Sequence, residues 1–314
     1  MRWSILLVAA LIAIGVAASV DALRGGGELD SQGPGARETI TEATTTVRAP
    51  SPAEALSAAG VSGALYFTVP VEDGCILHTL TLPGLDDAGA FLLDTCEFDV
   101  SPRGDIVTGE PCPGNVVDVR PAEGRAQRLR GCTPAWRPDG ELTFVLDGNV
   151  QTADGEVLVR DPERAGRPWF SARHPVTVRA MAWLTNTRVA VVLAGRRRFA
   201  GDVMVVFEGE KALPGGDVAP GATLFVDRSL QQIWAAHPGD EFSAPGVTTH
   251  TRSGAFLRTA PFRTNVNGFA AAGDRWFALA RPDNVCIYER RDPPPREEFP
   301  LTCLPFDVVD LAWI

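Results

Sequence analysis

The chain has 314 residues, with 29 Lys and Arg against 39 Asp and Glu and a formal charge of −10. That balance speaks against a nucleic-acid partner, whose phosphates call for clustered Lys and Arg. The length is ample for one large β domain of roughly 200–250 residues, and the 31 Gly and 25 Pro make turns frequent.

Residues 1–23 open the chain, and within them residues 3–20 run from Trp3 to Val20 without a charge. As a helix this run would span roughly 27 Å, just enough for a hydrocarbon core. With Arg2 ahead of it, the amino end is expected to stay cytoplasmic and the remainder to be exported. The other reading is a cleaved signal peptide with Val20-Asp21-Ala22 as the cleavage site. The apolar core of such a peptide is usually ~7–15 residues long, so an uncleaved membrane anchor is favoured. Residues 24–50 follow, rich in Gly, Ser, Thr, Pro and acids, with Leu29, Ile40 and Val47 the sizeable apolar side chains. Such a composition buries too little to offset chain entropy and reads as a disordered tether. Residues 51–62 then begin Ser51-Pro52-Ala53-Glu54, a capping Ser with Pro at the first helical position and Glu three after the cap. This predicts a short entry helix ended by Gly60.

From Gly63 to Ile314 the pattern is strand after strand. Ala64–Val69 and Cys75–Leu82 are β runs joined by a turn at Glu72-Asp73-Gly74. The unit Trp136-Arg137-Pro138-Asp139-Gly140 is a large aromatic leading into a tight turn, which Pro, Asp and Gly favour for separate reasons. Alternating residues follow it, with Phe144 eight beyond the Trp. The unit recurs. Phe98 leads through Ser101-Pro102-Arg103-Gly104 to Ile106, Trp183 through Thr185-Asn186-Thr187 to Val191, Phe225 through Asp227-Arg228-Ser229 to Ile233, and Phe269 through Ala272-Gly273-Asp274 to Phe277. Trp313 is the sixth aromatic. The intervals are 38, 47, 42, 44 and 44 residues, the period of a four-stranded propeller blade.

With its Trp-x-Pro-Asp-Gly turn, the stretch from Ala135 to Val145 resembles the WD40-like repeat of the TolB-type β-propeller family. Ser101-Pro102-Arg103-Gly104 is a second match, Arg137 replaces the family's Ser, and the other units lack the Pro. The resemblance implies an all-β, six-bladed propeller over residues 63–314. The β runs after Gly63 have no innermost strand of their own ahead of them. Asp307–Ile314 is expected to supply it, pairing with Ala64–Val69 and closing the ring without an open edge.

Six cysteines stand at 75, 96, 112, 132, 286 and 303. They allow 15 pairings. The first of each successive pair falls near the start of a blade's third strand, and the second just before the next innermost strand. The repeated relation favours Cys75–Cys96, Cys112–Cys132 and Cys286–Cys303, all on the face of the channel mouth. Disulfides fit an oxidising compartment. No Cys-x-x-Cys or neighbouring His suggests a metal, and neither metal nor cofactor is expected.

The chemistry-bearing residues are sparse. His78, His174, His237 and His250 have no nucleophile or carboxylate arranged around them, and no Gly-x-Ser-x-Gly, Walker-type loop or His-Glu-x-x-His occurs. Asp99 and Asp310 fall on innermost strands of neighbouring blades. A close pair there would raise one pKa and suit acid–base work or cation binding, while the plainer reading is two solvated channel residues. Arg196-Arg197-Arg198 lies in a second-to-third-strand turn on the channel-mouth side and could meet an anionic partner, or be only a solvated hairpin tip. The functional expectation is therefore an exported, membrane-tethered binding or scaffolding module for an envelope protein or extracytoplasmic ligand. The alternative is an extracytoplasmic propeller-type hydrolase or lactonase using channel carboxylates.

Overall fold

The structure is a computed structural model that describes residues 50–170, 175–195, 202–237, 246–259, 266–290 and 300–314. The expected anchor at residues 3–20 and the tether up to residue 49 lie outside the described residues. Among those described, no helix is long and apolar enough to cross a membrane.

The described chain opens with α1 (Pro52–Ala59). Ser51 Oγ accepts from the Glu54 N–H and Glu54 Oε2 accepts from the Ser51 N–H at 2.6 Å, while Gly60 closes the helix at φ 73°. Glycine reaches that left-handed conformation without a Cβ penalty. Leu56 is fully buried among Val61, Leu65, Phe67 and Val308, fastening α1 to the first blade.

Six four-stranded antiparallel sheets follow. The first contains β1 (Gly63–Val71), β2 (Gly74–Leu82) and β3 (Asp86–Leu93). The second runs β4 (Phe98–Val100), β5 (Ile106–Gly109), β6 (Val116–Arg120) and β7 (Gln127–Arg130). The third is β8 (Cys132–Trp136), β9 (Leu142–Leu146), β10 (Asn149–Thr152) and β11 (Val157–Val159). After α2 (Pro162–Gly166) comes the fourth, β12 (Val176–Thr185), β13 (Arg188–Gly195), β14 (Asp202–Glu208) and β15 (Lys211–Val218). The fifth is β16 (Thr223–Asp227), β17 (Gln232–His237), β18 (Gly246–Thr251) and β19 (Phe256–Thr259). The sixth is β20 (Gly268–Ala272), β21 (Trp276–Arg281), β22 (Asn284–Glu289) and β23 (Thr302–Leu304), and β24 (Asp310–Trp313) ends the chain.

β24 pairs antiparallel with β1, Leu65 opposite Trp313 and Thr68 opposite Asp310, so the last strand completes the first blade. The ladder continues through mutual bonds between Ala64 and Ile314, at 2.9 and 3.1 Å. The chain is thus a six-bladed all-β propeller, closed where the sequence predicts.

All six spaced aromatics lie on innermost strands, and Ile106, Phe144, Val191, Ile233 and Phe277 on second strands. Their register is less uniform than the spacing suggests. Trp136 faces Leu142 and Trp183 faces Val189, but Phe98 faces Thr108, two residues farther from its turn. Aromatic volume in a wedge between blades can be supplied from neighbouring positions, so a common period does not force a common pairing.

The two best turns also differ in chemistry. Ser101 Oγ accepts from the Arg103 and Asp105 N–H groups at 3.1 and 3.0 Å and donates to Asp105 Oδ2. In the next blade Arg137 pairs with both Asp139 and Glu141 and lies over the Trp183 ring. A hydroxyl in one turn and a salt-bridged guanidinium in the other hold the same chain reversal. The Gly104 and Gly140 N–H groups return to residues 101 and 137 at 2.9 Å.

Three disulfides are present, Cys75–Cys96, Cys112–Cys132 and Cys286–Cys303, with Cα separations of 5.1, 5.2 and 4.1 Å. The pairing is as expected, but the placement of the third is not. The first two each tie one blade to the segment entering the next. Cys303 instead lies on the outermost strand β23, directly opposite Cys286 on β22, so this bridge staples two neighbouring strands of a single blade. The sequence offers Phe306–Val309 as ample chain for a later crossover, and nothing in the spacing distinguishes the end of a fourth strand from the loop after it.

Candidate binding site in the central channel

Successive strands in each blade are antiparallel. The starts of the innermost strands therefore share a face with the second-to-third-strand turns, here named the entry face. Side chains from β4, β8, β12, β16, β20 and β24 surround a cavity of about 210 Å³. The charged side chains lining it are Glu97, Asp99, Arg179, Arg228 and Asp310.

Asp310 is the first residue of β24 and is 7% exposed. Its Oδ1 accepts from the Leu311 N–H at 2.8 Å and its Oδ2 from the Phe98 N–H of the next blade at 3.1 Å. Asp99, one blade on, repeats the arrangement. Oδ1 accepts from the Val100 N–H at 2.8 Å and Oδ2 from the Trp136 N–H of the third blade at 2.7 Å. Each carboxyl caps its own strand and bridges to the next. The two expected channel acids are thus brought into one setting, as inter-blade links rather than as freely solvated groups.

Burial removes water from both carboxyls and disfavours their charged forms. Asp310 is pushed up to about 8 by desolvation, reinforced by the charges of Glu97 and Asp99 and opposed by its two backbone donors. Asp99 is raised for the same first reason, with the Trp136 N–H, Arg228 and the Val100 N–H pulling back. Glu97 is raised by desolvation in the channel, against the pull of Arg179.

Arg179 sits near the start of β12. Val178 faces Leu193 while Ala180 faces Val192, which leaves Arg179 as the extra residue of a β-bulge. Bulges re-aim a side chain, and Arg179 lines the cavity. Its guanidinium also closes on Gly221, where an added Cβ would stand 3.5 Å from a terminal nitrogen. Arg228 follows the end of β16 and so belongs to the opposite mouth.

No sequence motif marks Glu97, Arg179 or Arg228. A signal existed for Arg179, a lone charge in the otherwise uncharged run Val176–Thr185. Arg228 falls in the turn Asp227-Arg228-Ser229, and Glu97 merely follows Cys96. Arg196, Arg197 and Arg198 lie outside the described residues. Among the described residues no group of three or more His, Cys, Asp or Glu is placed to hold a metal ion.

His250, fully buried on β18, has Nε2 3.0 Å from Thr248 Oγ1 and Nδ1 3.3 Å from the Gly254 carbonyl. It serves packing within the fifth blade, away from the channel.

No family model matches the chain, and no curated protein does. Among solved structures, a protein of unknown function from Bacteroides caccae is similar over 81% of this chain and 99% of its own, at 10% identity and a TM-score of 0.52. TolB from Acinetobacter baumannii is similar over 80% of this chain and 66% of its own, at 14% identity and a TM-score of 0.44. A protein from Lactobacillus plantarum is similar over 81% and 100%, at 10% identity and a TM-score of 0.43. The first likeness carries the fold, at identities that say nothing of activity.

Proposed function

We propose that the protein is an extracytoplasmic binding module whose contact surface is the entry face of the propeller and the channel opening there. The observation that carries this reading is the cavity of about 210 Å³ lined by both guanidinium and carboxyl groups. A concave site with a few convergent polar groups is the usual setting for ligand recognition. Two inter-blade disulfides border the same face, and disulfides persist outside the reducing cytosol. The finer elements of the proposal are a TolB-type relationship, an anchor at residues 3–20, a tether at 24–50, an entry segment at 51–62, the propeller proper at 63–314 and an envelope protein or extracytoplasmic ligand as partner.

A photo-crosslinking residue placed at Glu110 or Asp73 on the entry face, in cells expressing the full chain, is expected to yield discrete adducts. The same residue at Asp139 or Asp274, on the opposite face, is expected to yield none. Adducts from the opposite face alone would overturn the assignment.

A second reading, a propeller-type hydrolase or lactonase, draws on one feature, the Asp310 carboxyl held up to about 8, as a general acid would be. Against it, both Asp310 oxygens already accept backbone N–H groups.

A further inference from the structure

We propose that the entry mouth of the channel binds a small carboxylate anion through the Arg179 guanidinium, with Glu97 beside it. This rests on the reading of that mouth as the contact surface and names the chemistry it takes.

Three observations converge on it. The β-bulge sets Arg179 apart from the ladder and into the cavity lining. Arg137, Arg188, Arg275 and Arg290 are each salt-bridged to carboxylates, whereas Arg179 shows no ion pair and no side-chain hydrogen bond among the described residues. A guanidinium presents a planar fork of donors that matches a carboxylate. Both oxygens of Asp99 and Asp310 are engaged by backbone N–H groups, and Glu97 is the cavity acid whose charge Arg179 favours.

The charge balance at the mouth follows. Desolvation keeps Asp310 protonated up to about 8 and raises Asp99 and Glu97 as well. The positive charge of Arg179 is then only partly offset below that pH. Arg228, the remaining charged side chain on the cavity wall, stands at the other mouth beside Asp99 and adds to the positive field. As pH rises through about 8, Asp310 ionises and the mouth turns against an anion. The cavity of about 210 Å³ has room for a compact acid of a few carbons.

The test is calorimetric titration of the full-length protein with succinate, and with succinamide as the uncharged counterpart. Succinate is expected to bind one to one at about pH 6 and succinamide not at all. Arg179→Gln is expected to weaken succinate by about tenfold or more, as loss of a charge-assisted hydrogen bond implies. Arg179→Lys should retain part of the affinity, and Arg228→Gln most of it. Affinity should fall between about pH 6 and pH 9. Variants are compared at matched near-UV circular dichroism, and Arg179→Lys serves if Arg179→Gln does not fold. Equal binding of succinate and succinamide, no binding of succinate, or an unaltered Arg179→Gln overturns the proposal. If crosslinks still form from the entry face in that case, the binding-module reading stands and only the anion chemistry falls. If crosslinks are lost as well, both fall.

Discussion

Asp310 shows how a single carboxyl can hold a ring together and make its stability depend on pH. In the folded chain its pKa is raised to about 8, whereas unfolded it would lie near the ordinary value of about 3.9. The native state therefore binds the extra proton. The stability this group contributes is fully present below about pH 4 and is lost as pH rises through about 8. Asp99 and Glu97 are raised too and act in the same direction. His250 acts oppositely. Its depressed pKa means that stability is lost as pH falls below the unfolded value of about 6.5. Replacing Asp310 by Asn sets an amide N–H₂ against a backbone donor, and a buried donor left unpaired costs about 1–3 kcal/mol. Asp310→Asn should thus be less stable than wild type near pH 5, with the two curves converging toward pH 9. Urea midpoints measured across that range check this, and parallel curves would show that Asp310 does not titrate as described. Elsewhere the seams between blades use similar buried polar contacts. Trp183 Nε1 donates to Thr143 Oγ1 at 2.7 Å, and Thr143 Oγ1 donates to the Ala135 carbonyl at 2.8 Å. Arg290, after the sixth blade's third strand, pairs with the fully buried Asp227 of the fifth.

At the scale of elements, the disulfides divide into two kinds. Cys75–Cys96 and Cys112–Cys132 cross from one blade to the next, whereas Cys286–Cys303 lies within one sheet. All three close loops of similar length, with sequence separations of 21, 20 and 17. On the chain-entropy account each stabilises by about 3 kcal/mol. Replacing Cys112 and Cys132 together by Ser is expected to lower the unfolding free energy by about that amount, with little change in denaturant sensitivity. The seam carries further bonds that survive, among them the Thr133 N–H to the Glu110 carbonyl at 2.9 Å. Denaturant unfolding of the non-reduced variant measures the loss, and a midpoint equal to wild type would mean the bridge adds nothing to an already closed seam. The same scale explains the uneven aromatic register. Close blade contact is met at one place by a ring and at another by the absence of a side chain. Gly268 on β20 is an instance of the latter, since a Cβ there would stand 2.9 Å from Leu311 Cβ on β24.

At the scale of the whole molecule, closure is the decisive contact. β24 buries Leu311 and Trp313 to 4% and 7% exposure, and each such side chain contributes about 1.5–3 kcal/mol by leaving water. It also covers the inner edge of β1, which would otherwise offer unpaired N–H and C=O groups to another chain. A chain ending at Val309 is expected to lose cooperative unfolding and to self-associate. Size-exclusion chromatography and denaturant unfolding check this. A monomeric, cooperatively folded truncation would show that the other five blades close without it.

The sequence by itself determined the repeat, the ring and its closure, because aromatics and tight turns recurring every 38 to 47 residues reflect wedges that each blade must fill whatever its neighbours. It also determined which cysteines pair, since each bridge joins neighbouring cysteines in the sequence, 21, 20 and 17 residues apart. The tertiary structure alone decided the rest. Cys303 reaches Cys286 across a ladder, a matter of strand register to which loop spacing is blind. Asp99 and Asp310 are tied to the backbone of the next blade, a contact between residues as far apart as 310 and 98 that no local pattern announces. Arg179 faces the cavity because one extra residue bulges out of β12, and a bulge depends on how β13 pairs with it. Local patterns report what each segment needs to bury. Where side chains converge at the axis depends on all six blades at once.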